Sequence, residues 1–114
     1  MDFMVDGNNL VDAQKKTIIK LQQPIDKFFT EENKIYVLLR GYVSRGNYIR
    51  GNVWCFDLSG NRLWESEEIK SPTAFDSYSN AYIKNQKLFA VSGSGYRVEL
   101  DKNTGKILYK EFLK

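Results

Sequence analysis

The side chains able to do chemistry in this 114-residue chain are few, and each has a competing structural use. There is no histidine. That removes the commonest general base, the Ser-His-Asp and Cys-His arrangements, and imidazole metal ligands. Ser94 stands within Gly93-Ser94-Gly95, whereas a nucleophile elbow needs Gly-x-Ser-x-Gly at a strand-to-helix corner. The run Asp101-Lys102-Asn103-Thr104-Gly105 resembles the start of a calcium loop but lacks the third oxygen ligand and the distal glutamate. An Asx-type hairpin turn is its simpler use. Asp57 and Asp101 each precede a turn, where a carboxylate accepts backbone N–H groups. Cys55 is the single cysteine and lies in an alternating apolar run, so it has no internal disulfide partner and reads as a buried, inert thiol. Trp54 and Trp64 read as core side chains rather than ligand platforms. The expectation is a non-enzymatic protein with no cofactor and no metal site.

Recognition chemistry is better represented. The stretch "RGYVSRGNYIR" interleaves Arg40, Arg45 and Arg50 with Tyr42 and Tyr48, and no acid occurs between Lys34 and Phe56. Arginine and tyrosine are the types enriched at interface hot spots, and also those that stack on single-stranded nucleic acid. A solvated hairpin tip is the third reading. The acids Glu65, Glu67 and Glu68 concentrate in "ESEE", and "SPTAFDSYSN" offers Phe75 and Tyr78 as a further contact surface. Net charge is +3, from 17 basic and 14 acidic residues. That balance is too mild to announce a nucleic-acid binder, so a protein partner leads and nucleic acid is the alternative. The basic loop would face an acidic patch.

The elements that must position these groups are strands. A chain of this length buries roughly 65% of its unfolded surface as one domain, residues 1–114. "KIYVLLR" (34–40) is apolar on both faces, which predicts burial on both sides. "VWCFDLSGNRLWES" (53–66) alternates, turns on Ser59-Gly60-Asn61 and returns, which predicts a hairpin. "KLFAVSG", "YRVELD" and "KILYKEFL" (87–93, 96–101, 106–113) predict a meander. "TIIKLQQPI" (17–25) suits an edge or first strand, and "DKFFTEEN" (26–33) a connector. Residues 1–16 are weakly patterned and read as a loose arm, while "NAYIKN" within 68–86 is favoured as strand over helix. The class is all-β or nearly so. Acids at Asp2 and Asp6 and the lack of a basic leader argue against a secretory signal. No apolar run approaches a membrane span, so a cytoplasmic location is expected.

The two hairpins align. Asp57 matches Asp101 at an offset of 44 residues, Gly60 matches Gly105, Leu63 matches Leu108, and Trp64 matches Tyr109. That offset is in the range of a propeller blade. "VWCFDLSGNRLWE" and "VELDKNTGKILYK" resemble the quinoprotein-type (PQQ-like) β-propeller repeat, in units spanning 34–67 and 86–113. Tyr109 departs from the family tryptophan, which implies weaker docking between blades. Two units cannot close a ring. The resemblance therefore implies antiparallel meanders paired as a small sandwich or half-propeller, or units that complete one another between chains. By size and architecture the chain is also similar to small immunity proteins of bacterial contact-dependent inhibition and polymorphic toxin systems. That resemblance implies a cytoplasmic protein that neutralises a cognate toxin by direct binding.

Overall fold

The computed structural model describes residues 2–45, 47–70 and 77–113. All regular structure among these residues is β. Strands β1 (Phe3–Asp6), β2 (Asn9–Asp12) and β3 (Thr17–Lys20) form a three-stranded antiparallel sheet in that order. A middle sheet contains β4 (Ile25–Glu31), β5 (Lys34–Leu39), β8 (Val53–Asp57) and β9 (Arg62–Glu65), also in chain order. The connection from β5 to β8 carries a small hairpin of its own, β6 (Tyr42–Ser44) and β7 (Asn47–Tyr48). A last sheet holds β10 (Tyr78–Lys84), β11 (Lys87–Ser92), β12 (Tyr96–Leu100) and β13 (Ile107–Phe112).

The three large sheets stack, and the middle one is covered on both faces, as its double-sided apolar β5 requires. One core, between the first and middle sheets, contains Leu10, Ile19, Ile35, Val37, Leu39 and Phe56. The other, between the middle and last sheets, contains Tyr36, Leu38, Val53, Cys55, Trp64, Leu88, Ala90, Val98 and Leu100. Alternation decides the split. Ile35, Val37 and Leu39 point one way, Tyr36 and Leu38 the other.

Residues 1–16, expected as a loose arm, instead supply β1 and β2 and reveal a third repeat. The Asp12 carboxylate accepts the N–H groups of Gln14 and Lys16, both at 2.9 Å. Asp57 does the same for Ser59 and Asn61 at 2.9 Å, and Asp101 for Asn103 at 2.7 Å. Asp57 is held below the usual carboxylate range by the Asn61 side chain first, then by the backbone N–H groups of its turn. In each turn the aspartate's own N–H donates to the returning strand, to the carbonyl of Lys16, Asn61 or Lys106, at 2.8–2.9 Å. Each turn also contains one left-handed residue: Lys15 (φ 64°), Gly60 (φ 90°) and Gly105 (φ 76°).

Why the first turn does without glycine is visible in the packing. A Cβ on Gly60 would overlap the carbonyl of Ile18 in the first sheet, and one on Gly105 would overlap the Trp64 indole. Each docked turn takes the sheet before it onto its glycine, whereas Lys15 is exposed. Gly60→Ala should therefore cost about 3 kcal/mol from combined backbone strain and overpacking. Lys15→Gly should be neutral or stabilising by up to about 1 kcal/mol. Urea titration of both variants checks the contrast.

The segment 26–33, expected as a connector, is mostly strand β4. It pairs with β5 through Phe29 and Tyr36, whose rings stack at 5.3 Å. Each complete sheet thus has a fourth strand ahead of the three that the repeat shows. Hairpins β4–β5 and β10–β11 turn on Glu32-Asn33 and Asn85-Gln86, all with φ between 51° and 66°. Two successive left-handed residues are the signature of the tight turn that matches strand twist.

Candidate protein-contact surface

The β6–β7 hairpin projects from the middle sheet where the last sheet has only the short turn at 93–95. Tyr42 pairs with Tyr48 across the hairpin, their rings in an edge-to-face arrangement at 5.6 Å. Asn47 Nδ2 donates to Ser44 Oγ at 2.8 Å near the tip. The base is braced. Ile49 N–H donates to the Gly41 carbonyl at 2.7 Å, and the Ser77 hydroxyl donates to the Ile49 carbonyl at 2.6 Å. Gly41 and Gly51 have no room for a side chain, because Ser77 and the Ser66 carbonyl occupy the space.

Beneath the hairpin lies Asn52, fully buried. Its Nδ2 donates to the carbonyls of Leu39 and Tyr78, both at 2.8 Å, and its Oδ1 accepts the Tyr78 N–H at 2.7 Å. One side chain thus ties the middle sheet, the last sheet and the root of the hairpin together.

The structure separates the expected contact residues. Tyr42 is 51 % exposed, and Arg40, Arg45 and Arg50 are exposed with it, while Tyr48 is half-buried. Arg40 pairs with Asp26 at 3.3 Å, whereas Arg45 and Arg50 make no ion pair among the described residues. The acidic group is divided. Glu65 pairs with Arg62 at 3.1 Å, and Glu68 is exposed. Glu67 is exposed as well, yet bonded across to the last sheet: its carboxylate accepts the Ile107 N–H at 2.9 Å and its carbonyl accepts the Tyr78 hydroxyl at 2.7 Å. Tyr78, expected at a contact surface, is instead core, only 2 % exposed, because β10 turns it toward the middle sheet. Phe75 lies outside the described residues.

One feature was invisible in the sequence. Lys20, Leu21, Gln22, Gln23, Leu39, Ile49, Trp54 and Arg62 line a pocket of about 400 Å³ at the foot of the hairpin. The Arg62 guanidinium lies over the Trp54 ring at 4.9 Å. Its walls come from five separate chain segments, so no local spacing announces it. Of its two cations, Arg62 is paired with Glu65, while Lys20 makes no ion pair among the described residues.

The groups considered for catalysis have other occupations. Ser94 shares a hydrogen bond with Ser92 at 2.9 Å in the β11–β12 turn. Among the described residues no cluster of Cys, Asp and Glu has metal-binding geometry. Burial pushes the Cys55 thiol up to about 11. A thiol reagent at pH 8 should therefore leave native Cys55 unmodified and label it fully in urea, as thiol titration would show.

Stacked antiparallel sheets of three or four strands, whose Asp-anchored turns dock on the sheet before, Gly60 against Ile18 and Gly105 against Trp64, define a propeller-like β domain. Residues 1–112 match the family described as "Domain of unknown function (DUF7957)", and the chain belongs to that family. No curated protein matches it in sequence. Among solved structures it is similar to the computationally designed Ika8 protein, with a TM-score of 0.66 and 14% identity over 98% of this chain. It is also similar to BamB from Moraxella catarrhalis, with a TM-score of 0.61 and 14% identity over 99% of this chain. The chain spans about a third of the length of each, 33% and 35% respectively. These likenesses support the propeller-like fold.

Proposed function

We propose that this chain is a non-enzymatic protein-binding domain whose contact surface is the β6–β7 hairpin. The observation that carries the reading is the hairpin's composition on a braced base: exposed Tyr42 and Val43 beside Arg45 and Arg50, cations without an ion-pair partner among the described residues. The repeat does not need this insertion, and a rigid tyrosine-arginine cluster loses little entropy on docking. An acidic partner surface satisfies the arginines, which steer the encounter and fix its register.

Within that class the partner is a cognate bacterial toxin, met in the cytoplasm, as the resemblance to small immunity proteins implies. The hairpin would cover an acidic active-site or substrate face of the toxin. Calorimetric titration against the toxic C-terminal region of a secreted protein encoded beside this gene tests the assignment. The wild-type chain should bind, and the double variant R45E/R50E should lose about 100-fold in affinity with an unchanged melting temperature. Unchanged affinity of the variant removes the hairpin from the interface. If the wild-type chain does not bind, the toxin reading falls. Affinity for unrelated oligonucleotides that drops steeply with salt would transfer the hairpin to nucleic-acid binding.

A further inference from the structure

The pocket at the foot of the β6–β7 hairpin lies where the first sheet meets the middle one, and the next seam shows the same place closed. Counted back from the anchoring Asp12, Asp57 and Asp101, the ladders match Trp54 with Val98, Lys20 with Glu65, and Arg62 with Ile107. Two residues further on, Gln22 therefore matches Glu67. Between the middle and last sheets the Glu67 carboxylate accepts the Ile107 N–H at 2.9 Å, and Val98 is fully buried. In the first seam the Gln22 amide takes the place of that carboxylate, and the Arg62 guanidinium the place of Ile107. A volume of about 400 Å³ is left open between them. One wall, Ile49, comes from the hairpin insertion, which the short turn at 93–95 lacks.

We propose that this pocket binds a small apolar monocarboxylate. Its walls are apolar and already in place: Leu39 is buried, and Ile49 and Trp54 are half-buried. The Trp54 indole is fixed by its N–H, which donates to the Gly51 carbonyl at 2.8 Å. The Arg62 guanidinium, over that ring at 4.9 Å, is held by Glu65 through Nη1 alone at 3.1 Å, so donors remain on its fork. Lys20 makes neither an ion pair nor a side-chain hydrogen bond among the described residues. Charge decides the head group, since two cations and no acid line the pocket among the described residues. The ligand's carboxylate meets Lys20 and Arg62, where the neighbouring seam holds a carboxylate of the chain's own. Its apolar body lies on Leu39, Ile49 and Trp54. A largely preformed apolar pocket with a few converging polar groups is the usual make-up of a small-molecule site. Neither Arg45 nor Arg50 lines it, so the proposal is independent of the hairpin's protein contact.

The test follows the two tryptophan indole N–H signals by NMR while the full chain is titrated with phenylacetate to about 20 mM, a range suited to so small a ligand. The Trp54 signal should move and saturate, while that of Trp64, in the other seam, should stay. Phenylacetamide keeps the ring without the charge, and acetate keeps the charge without the ring. Each should bind at least about tenfold more weakly than phenylacetate. Lys20→Glu should weaken phenylacetate to the same degree, with the Trp64 signal at its wild-type position showing an intact fold. The amide comparison needs no variant and decides the role of charge by itself. A Trp54 signal that does not saturate, or both indole signals moving together, overturns the proposal. Equal binding of phenylacetamide or acetate, or undiminished binding of phenylacetate by K20E, overturns it as well.

Discussion

Replacing Trp64 by alanine should lower stability by about 4 kcal/mol, while Tyr109→Ala at the equivalent place in the last sheet should change it by less than about 0.5 kcal/mol. The difference arises from what lies beyond each ring. Trp64 is 8 % exposed, packs near Tyr36 at 6.1 Å, and donates its indole N–H to the Lys102 carbonyl at 2.9 Å. The same turn receives Lys34 Nζ on the Lys102 carbonyl at 3.0 Å and on Asn103 Oδ1 at 2.9 Å. The Lys102 ammonium pairs with Glu31 at 2.9 Å, closing the seam between the middle and last sheets. Removing the indole opens a cavity against Gly105 and strips a donor from that carbonyl. Tyr109 is 59 % exposed, and among the described residues no further sheet packs on it. Paired urea titrations give both numbers. Equal losses would show that the aromatic stabilises its own sheet rather than the seam.

The second large effect is at Asn52. Asn52→Leu keeps the branching and the number of side-chain heavy atoms but removes the polar partner of the Leu39 carbonyl and of both backbone groups of Tyr78, at a cost of about 4 kcal/mol. The damage should also reach the contact surface. The residue roots the hairpin, so amides of 41–50 should exchange faster even in the fraction that remains folded. Hydrogen exchange read alongside denaturation checks both parts. A stability loss with unchanged hairpin exchange would mean that Gly41, Ser77 and Ile49 brace the hairpin unaided.

The last sheet's outer face is partly polar where the middle sheet's is apolar, although Tyr82, Phe89 and Tyr109 also lie on it. Cys55 and Val53 of the middle sheet, buried against its neighbour, are replaced by Glu99 and Arg97 at the equivalent places. Arg97 lies over the Phe89 ring at 5.5 Å, pairs with Glu111, and donates a hydrogen bond to the Tyr82 hydroxyl.

Much of this was legible. The hairpins at 53–66 and 87–113, the doubly buried 34–40 and the insertion at 40–52 follow from alternation and glycine-bearing turns, which act within a few residues. The first repeat was missed because its turn has Lys15 where the others have glycine. β4 was missed because its turn, Glu32-Asn33, lacks glycine as well. In both places the left-handed conformation that usually betrays a turn is taken by an ordinary side chain. Among the contact residues, Tyr42, Arg45 and Arg50 are exposed as their types suggest. Tyr78 and Glu67 are not free, because their roles depend on a sheet that arrives from elsewhere in the chain.

The amino-acid sequence by itself determined the strand content, the turn chemistry and the repeat, since these rest on period-two alternation and on conformations that only a few residue types take readily. Tertiary structure alone decided which sheet covers which, that the described residues stack as three large sheets, and that Asn52 ties the last two together. Those outcomes are set by contacts between residues far apart in sequence, whose apolar and polar character is the same whether the facing position is filled or empty.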